Sequence, residues 1–139
     1  LATSVLEAST VARDPLLTIS NGMVRLYKEA FGRGPRRART SFAGADSLVI
    51  VLEQTLTTAE RNLVELGQPQ QLHEARLIIQ AALEPRARAL VEGVVRRRTL
   101  AYATGLDTRE DVAVVFLTLG APVPASKNSD GRAALAAGG

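Results

Sequence analysis

Arginine is the residue type in this sequence best suited to bind a partner, because its planar guanidinium grips carboxylate or phosphate through two parallel hydrogen bonds. Of the 17 Lys+Arg residues among 139, only Lys28 and Lys127 are lysines. Their distribution is uneven. Residues 25–39 hold Arg25, Lys28, Arg33, Arg36, Arg37 and Arg39 against Glu29 alone, a local charge of +5. Residues 86–98 hold Arg86, Arg88, Arg96, Arg97 and Arg98 against Glu92, a local charge of +4. Since the whole chain carries only +3, the remainder carries −6. Arg33, Arg36, Arg37 and Arg39, with Arg96, Arg97 and Arg98, are therefore the candidates for an anion site, shared if the two segments converge. Charge runs more often solvate a face and pair with nearby acids, and that is the preferred reading.

Other chemistries find little support. The absence of cysteine removes disulfides, thiolate metal sites and a thiol nucleophile, and fits a reducing compartment. One histidine, His73, cannot build a multi-histidine metal site, and near a helix start it reads as a boundary residue. Glu60 and Glu65, and the pair Glu110 and Asp111, lack the grammar of a metal loop, so no metal or cofactor is expected. No serine sits in a G-x-S-x-G elbow. The stretch Gly32-Arg33-Gly34-Pro35 follows a helix, whereas phosphate-cradling loops follow a strand and open a helix, so it reads as a helix stop. Tyr27, Phe31, Phe42, Tyr102 and Phe116 suit packing better than base stacking, and no G-x-x-G clamp joins the central helices as a KH-like domain requires.

The elements that position these residues follow from periodicity and punctuation. At 46% hydrophobic and 22% charged residues the chain should fold as one domain. Residues 1–13 and 120–139 are weakly patterned and read as tails, which leaves a domain over 14–119. Asp14-Pro15 starts a helix whose stripe is Leu16, Ile19, Met23, Leu26, Tyr27 and Ala30, stopped by Gly32. Ala38 to Gln54 reads as a hairpin turning at Gly44-Ala45-Asp46, with Leu48 to Leu52 apolar enough for a strand buried on both faces. Thr57 and Glu60 make a capping box before a short helix with Ala59, Leu63 and Leu66 inward. A longer helix begins near Gln70 with Leu72, Ala75, Ile79, Leu83, Ala87, Leu90 and Val94 as its stripe, kinked or broken near Ala81 to Glu84 by Pro85. Thr99 to Thr104 and Asp111 to Leu119 form a second hairpin around Gly105 to Glu110. The order α-β-β-α-α-β-β predicts an α+β domain with a four-stranded, largely antiparallel sheet and its helices on one face.

Taken together, the string from Ile19 through Tyr27 and Phe31 to Gly32-Arg33-Gly34-Pro35, the hairpin, Leu56-Thr57-Thr58-Ala59-Glu60, Arg76 on the long helix and the closing Val114 to Leu119 resembles the MpsC-like family over about residues 14–119. The positions matching its motifs are Gly32, Gly34, Pro35, Thr57, Glu60 and Arg76. The chain departs from the family pattern where a glycine-lysine or glycine-arginine turn often precedes the third strand. Here it has Gly93-Val94-Val95-Arg96-Arg97-Arg98. The resemblance implies a small soluble bacterial protein associated with a Na+-translocating, membrane-potential-generating system, with a membrane complex as partner. It supplies no catalytic residues.

The expectation is thus a non-enzymatic accessory or regulatory module, cytoplasmic and peripheral to the membrane. No segment approaches the ~20 apolar residues of a spanning helix, and the N-terminus does not read as a secretion signal. A homodimer is expected because two hairpins leave sheet edges needing cover. The alternative is a nucleic-acid- or small-anion-binding domain using the arginines of 33–39 and 96–98.

Overall fold

The computed structural model describes residues 14–124. The first helix, α1 (Pro15–Phe31), starts where the Asp14 carboxylate accepts from the Leu17 amide at 3.1 Å, with Pro15 in the first turn. It ends where Gly32 takes the left-handed conformation (φ 79) and returns its amide to the Lys28 carbonyl at 2.9 Å. Strands β1 (Arg37–Phe42) and β2 (Ser47–Glu53) form the first hairpin, and the short helix α2 (Thr58–Glu65) follows. The long helical pattern is two helices, α3 (Pro69–Ala82) and α4 (Glu84–Val95), broken at Leu83 ahead of Pro85. The chain closes with β3 (Thr99–Asp107) and β4 (Val112–Leu119). All pairings are antiparallel and the sheet order is β1-β2-β4-β3. The fold is therefore the expected α+β domain, with its helical layer on one face of the sheet.

The core lies between that face and the helices. Leu48, Ile50 and Leu52 of β2 and Ala113, Val115, Leu117 and Leu119 of β4 meet Ile19, Met23 and Tyr27 of α1 and Ala87 and Val91 of α4. Helices α1 and α4 approach closely at Gly22, where a Cβ would stand 2.6 Å from the Leu90 methyls.

Several expectations need correction. β2 is not buried on both faces: Leu48, Ile50 and Leu52 are buried while Val49 and Val51 between them stay half-buried, because no described element covers the second face. The same alternation runs along β4. Helix α2 does not turn Ala59, Leu63 and Leu66 inward; Leu66 is 75% exposed, and no residue of the helix is fully buried. Of the expected stripe on the long helices, Leu72, Leu83 and Ala87 are buried and Leu90 and Val94 pack against the core, but Ala75 is exposed and Ile79 only half-buried, and Arg76, Gln80, Val91 and Val95 take the other buried positions. Arg76 and Gln80 occupy core positions because both find buried partners. Gly105 lies inside β3 rather than in its turn. The chain also stays with the domain beyond 119, since the Gly120 amide donates to the Arg98 carbonyl at 2.7 Å and the Val123 amide to Ala45 at 2.9 Å. The tail expected over 1–13 and the rest of the one expected over 120–139 lie outside the described residues.

Candidate functional site

The residues that matched motif positions gather at one end of the sheet, where β2 leaves it and β4 enters. Thr57 caps α2: its hydroxyl accepts from the Glu60 amide at 3.2 Å, and Glu60 returns Oε1 to the Thr57 amide at 2.8 Å. The same carboxylate receives Arg76, whose Nε donates to Oε2 at 2.7 Å and whose Nη2 donates to Oε1. Arg76 also gives Nη2 to the Thr55 carbonyl at 3.0 Å and Nη1 to the Thr55 hydroxyl at 3.3 Å. Its guanidinium lies over the Phe31 ring, 3.7 Å from the centroid. The Arg76 side chain is only 2% exposed, so this arginine joins α1, the β2 exit, α2 and α3 from inside.

Asp111 completes the cluster from the far side. Its Oδ1 accepts from the Thr55 amide at 2.9 Å and the Leu56 amide at 3.2 Å, and Arg61 lies 3.5 Å from Oδ2. Asp111 and Gln54 are both left-handed (φ 56 and 57), and the Gln54 amide donates to the Asp111 carbonyl at 2.9 Å. Asp111 and Thr55 were not among the candidate residues. The only signal for Asp111 was its type, since aspartate tolerates the left-handed conformation and caps loose amides. An open groove of ≈ 390 Å³ runs over this end, with Gln54, Arg61, Arg109 and Asp111 in its wall.

Glu60 also contributes to the acid stability of the domain. Burial pushes its carboxyl up, but the hydrogen bonds from Arg76 and the Thr57 amide outweigh that and hold it below the usual carboxylate range. Glu92, which accepts from the Thr99 amide at 2.8 Å and the Thr99 hydroxyl at 2.7 Å, is lowered by those two bonds. In the unfolded chain both carboxyls protonate at about pH 4.3. Their contribution is therefore complete above that value and is lost as pH falls through the lower folded values. At the alkaline end, burial pushes the Tyr102 phenol up to about 12, with Tyr27 and Glu84 adding to it. That contribution is complete below the unfolded value of about 10 and fades as pH climbs towards the folded one. Melting temperature followed by circular dichroism is expected to fall below about pH 4 and again above about pH 10. Glu60→Gln should flatten the acid limb.

The remaining motif residues also have structural roles. Gly32 is the left-handed stop, and Pro35 is buried. At Gly34 a Cβ would stand 3.1 Å from the Val24 carbonyl, so the loop is pressed onto α1. His73 is half-buried and its Nε2 lies 3.0 Å from the Leu106 carbonyl, which ties α3 to β3.

The segments touch where Arg86 lies 3.7 Å from Glu29, but the candidate arginines of 33–39 and those of 96–98 do not meet. Arg37 pairs across from Glu53 at one end of edge strand β1, whereas Arg98 precedes Thr99, which pairs with Leu119 at the other end of edge strand β3. Three strand spacings and seven residues separate these corners, about 14 Å across and about 23 Å along. Arg37 lies 3.6 Å from Glu53, and Arg97 donates to the Pro122 and Arg96 carbonyls at 3.3 and 3.0 Å. Arg96 is the left-handed cap of α4 (φ 59), where a glycine would be usual. Arg33, Arg36 and Arg39 have no ion-pair partner among the described residues.

Fold and cluster together define a class: an α+β domain with one covered sheet face and a buried arginine-carboxylate lock at the sheet end. Residues 17–121 match the family described as Na+-translocating membrane potential-generating system (MpsC), and the chain belongs to that family. No curated protein and no solved structure matches it. Among the described residues no helix is long and apolar enough to cross a membrane, and no group of carboxylates and histidine is arranged to hold a metal.

Proposed function

We propose that this protein is a non-enzymatic accessory or regulatory module of a Na+-translocating, membrane-potential-generating system. It acts by docking onto a membrane complex from the cytoplasmic side. The observation that carries this reading is the employment of the family motif. Thr57, Glu60 and Arg76 are the polar residues that would be first choices for acid-base or anion chemistry. All three direct their polar atoms at one another or at Thr55. An arginine with 2% exposure presents no donor to a substrate, and its carboxylate partner already accepts from Arg76 and from the Thr57 amide. A motif kept for architecture fits a protein whose surface does the work. The test is the Na+-dependent part of the membrane potential in cells lacking the protein, read with a potential-sensitive dye. It is expected to fall and to return with the wild-type chain; an unchanged potential would refute the reading.

One observation favours a second reading, binding of nucleic acid or a small anion: Arg33, Arg36 and Arg39 are not held in ion pairs among the described residues. Because Arg37 and Arg98 lie at opposite corners of the sheet, an anion reaching 33–39 would not touch Arg96 to Arg98. This reading requires affinity for a short oligonucleotide or polyphosphate that drops steeply with salt and is abolished by neutralising 33–39 alone.

A further inference from the structure

The uncovered face of the sheet is unusual for an antiparallel sheet, whose solvent side is ordinarily polar. At its centre Val49 and Val51 of β2 lie beside Phe116 and Val114 of β4, all half-buried, with no described element over them. On the β3 side these rows continue into Ala103 and Gly105, which add no charge. Charge stands at the margins and at the end of β2, where Glu53 lies 3.6 Å from Arg37. Arg37 and Arg39 project from the β1 edge, and Asp107 from the β3 edge at the same level as Arg37, through the row Arg37, Glu53, Val112, Asp107. A contiguous apolar face with a polar rim marks a protein contact.

We propose that this face is the interface of a homodimer in which two sheets stack with the twofold axis parallel to the strands. The charges choose both the occupant and the orientation. A twofold axis perpendicular to the strands would lay β1 over the partner's β1 and bring four guanidiniums to one edge. The parallel axis lays β1 over the partner's β3 and keeps the rows level, so Arg37 meets the partner's Asp107. Arg39 then reaches over the partner's Gly105, where no side chain obstructs it. The Arg37 side chain lies 3.6 Å from Glu53 of its own chain through Nε alone and is 71% exposed, so its terminal guanidinium nitrogens can reach a second carboxylate. Asp107 uses Oδ1 to accept from the Glu110 amide at 2.9 Å, which leaves Oδ2 for a partner. Aligned sheets stack about 10 Å apart with strands within about 30°, which suits valine and phenylalanine rows. Cations on one edge and an acid level with them on the other are self-complementary under this axis. The homodimer expected from exposed edges is thereby assigned to the sheet face, independently of the functional reading.

Sedimentation equilibrium on the full chain tests it. The wild type is expected to be a dimer at tens of micromolar. Arg37→Glu and Asp107→Lys should each weaken dimerisation at least about tenfold, since each sets like charges against each other twice per dimer. An equimolar mixture of the two variants should recover a heterodimer, because both crossed pairs are then opposite in sign. Val114→Asp, at the centre of the face, should give a monomer that keeps the wild-type circular dichroism. Should Asp107→Lys not fold, Asp107→Asn, which retains the turn acceptor, is expected to weaken the dimer severalfold. A monomeric wild type overturns the proposal. So does a dimer indifferent to Val114→Asp, as edge-to-edge pairing would be, or a mixture of folded charge variants that does not associate.

Discussion

Arg76→Ala is expected to lower the unfolding free energy by about 3 to 5 kcal/mol, the range for breaking a buried ion pair on one side. The loss has three sources in the structure. Glu60 would keep its charge, 21% exposed, without the guanidinium that stabilises it. The Thr55 carbonyl would lose its Arg76 donor, and the Phe31 ring would face a void where the guanidinium lay. For a domain of this size the melting midpoint should drop by roughly 12 °C or more. Arg76→Lys should recover little, because an ammonium cannot address Glu60 with two parallel donors and Thr55 at once. Arg76→Met should be as damaging as alanine until Glu60→Gln is added. The double variant should regain part of the loss, because glutamine keeps the helix cap and removes the stranded charge. Urea unfolding of the four chains measures these terms. Were Arg76→Ala to cost less than about 1 kcal/mol, within reach of an exposed pair, the lock would not exist.

Asp111→Ala ranks second, at about 2 to 4 kcal/mol. One carboxylate oxygen serves two amides, those of Thr55 and Leu56, and both residues are buried where water cannot take its place. Alanine would also have to hold the left-handed backbone (φ 56), which costs an L residue about 1 kcal/mol. Asn keeps an acceptor and tolerates that backbone, so Asp111→Asn should cost about 1 kcal/mol. The unfolding midpoint should move in both variants with an unchanged denaturant slope. Equal losses for Ala and Asn would assign the effect to the charge and its Arg61 partner instead.

What the sequence made legible was what is local. Asp14 with Pro15, Gly32, and Thr57 with Glu60 act within one helical turn, and each does what its type predicts. The break before Pro85 follows from a missing amide and a ring clash, again a matter of a few residues. Burial on a helix face is different, since it depends on partners elsewhere in the chain. Arg76 and Gln80 are polar and fall outside an apolar stripe drawn through Ala75 and Ile79, yet both are buried. Glu60 stands 16 residues from Arg76, and Tyr27, which accepts from the Gln80 amide at 2.8 Å, stands 53 residues away. The run Leu-Val-Ile-Val-Leu is apolar on both alternating faces, so periodicity is silent about which face is covered. Asp111 reaches Thr55 across 56 residues, and no spacing rule connects them. The structural part that Thr57, Glu60 and Arg76 play follows from the burial of Arg76, which no local pattern encodes.

The central claim is that Thr57, Glu60 and Arg76 hold a docking module together and perform no chemistry of their own. Glu60→Gln decides it, because glutamine preserves the cap and an acceptor for Arg76 while removing the charge and any acid-base capacity. The measurement is the Na+-dependent membrane potential of cells whose only copy carries Glu60→Gln, at a temperature where circular dichroism shows the purified variant folded. The account predicts that the potential is restored to the wild-type level. A folded Glu60→Gln chain that leaves the Na+-dependent potential absent would contradict it and make Glu60 a functional carboxylate.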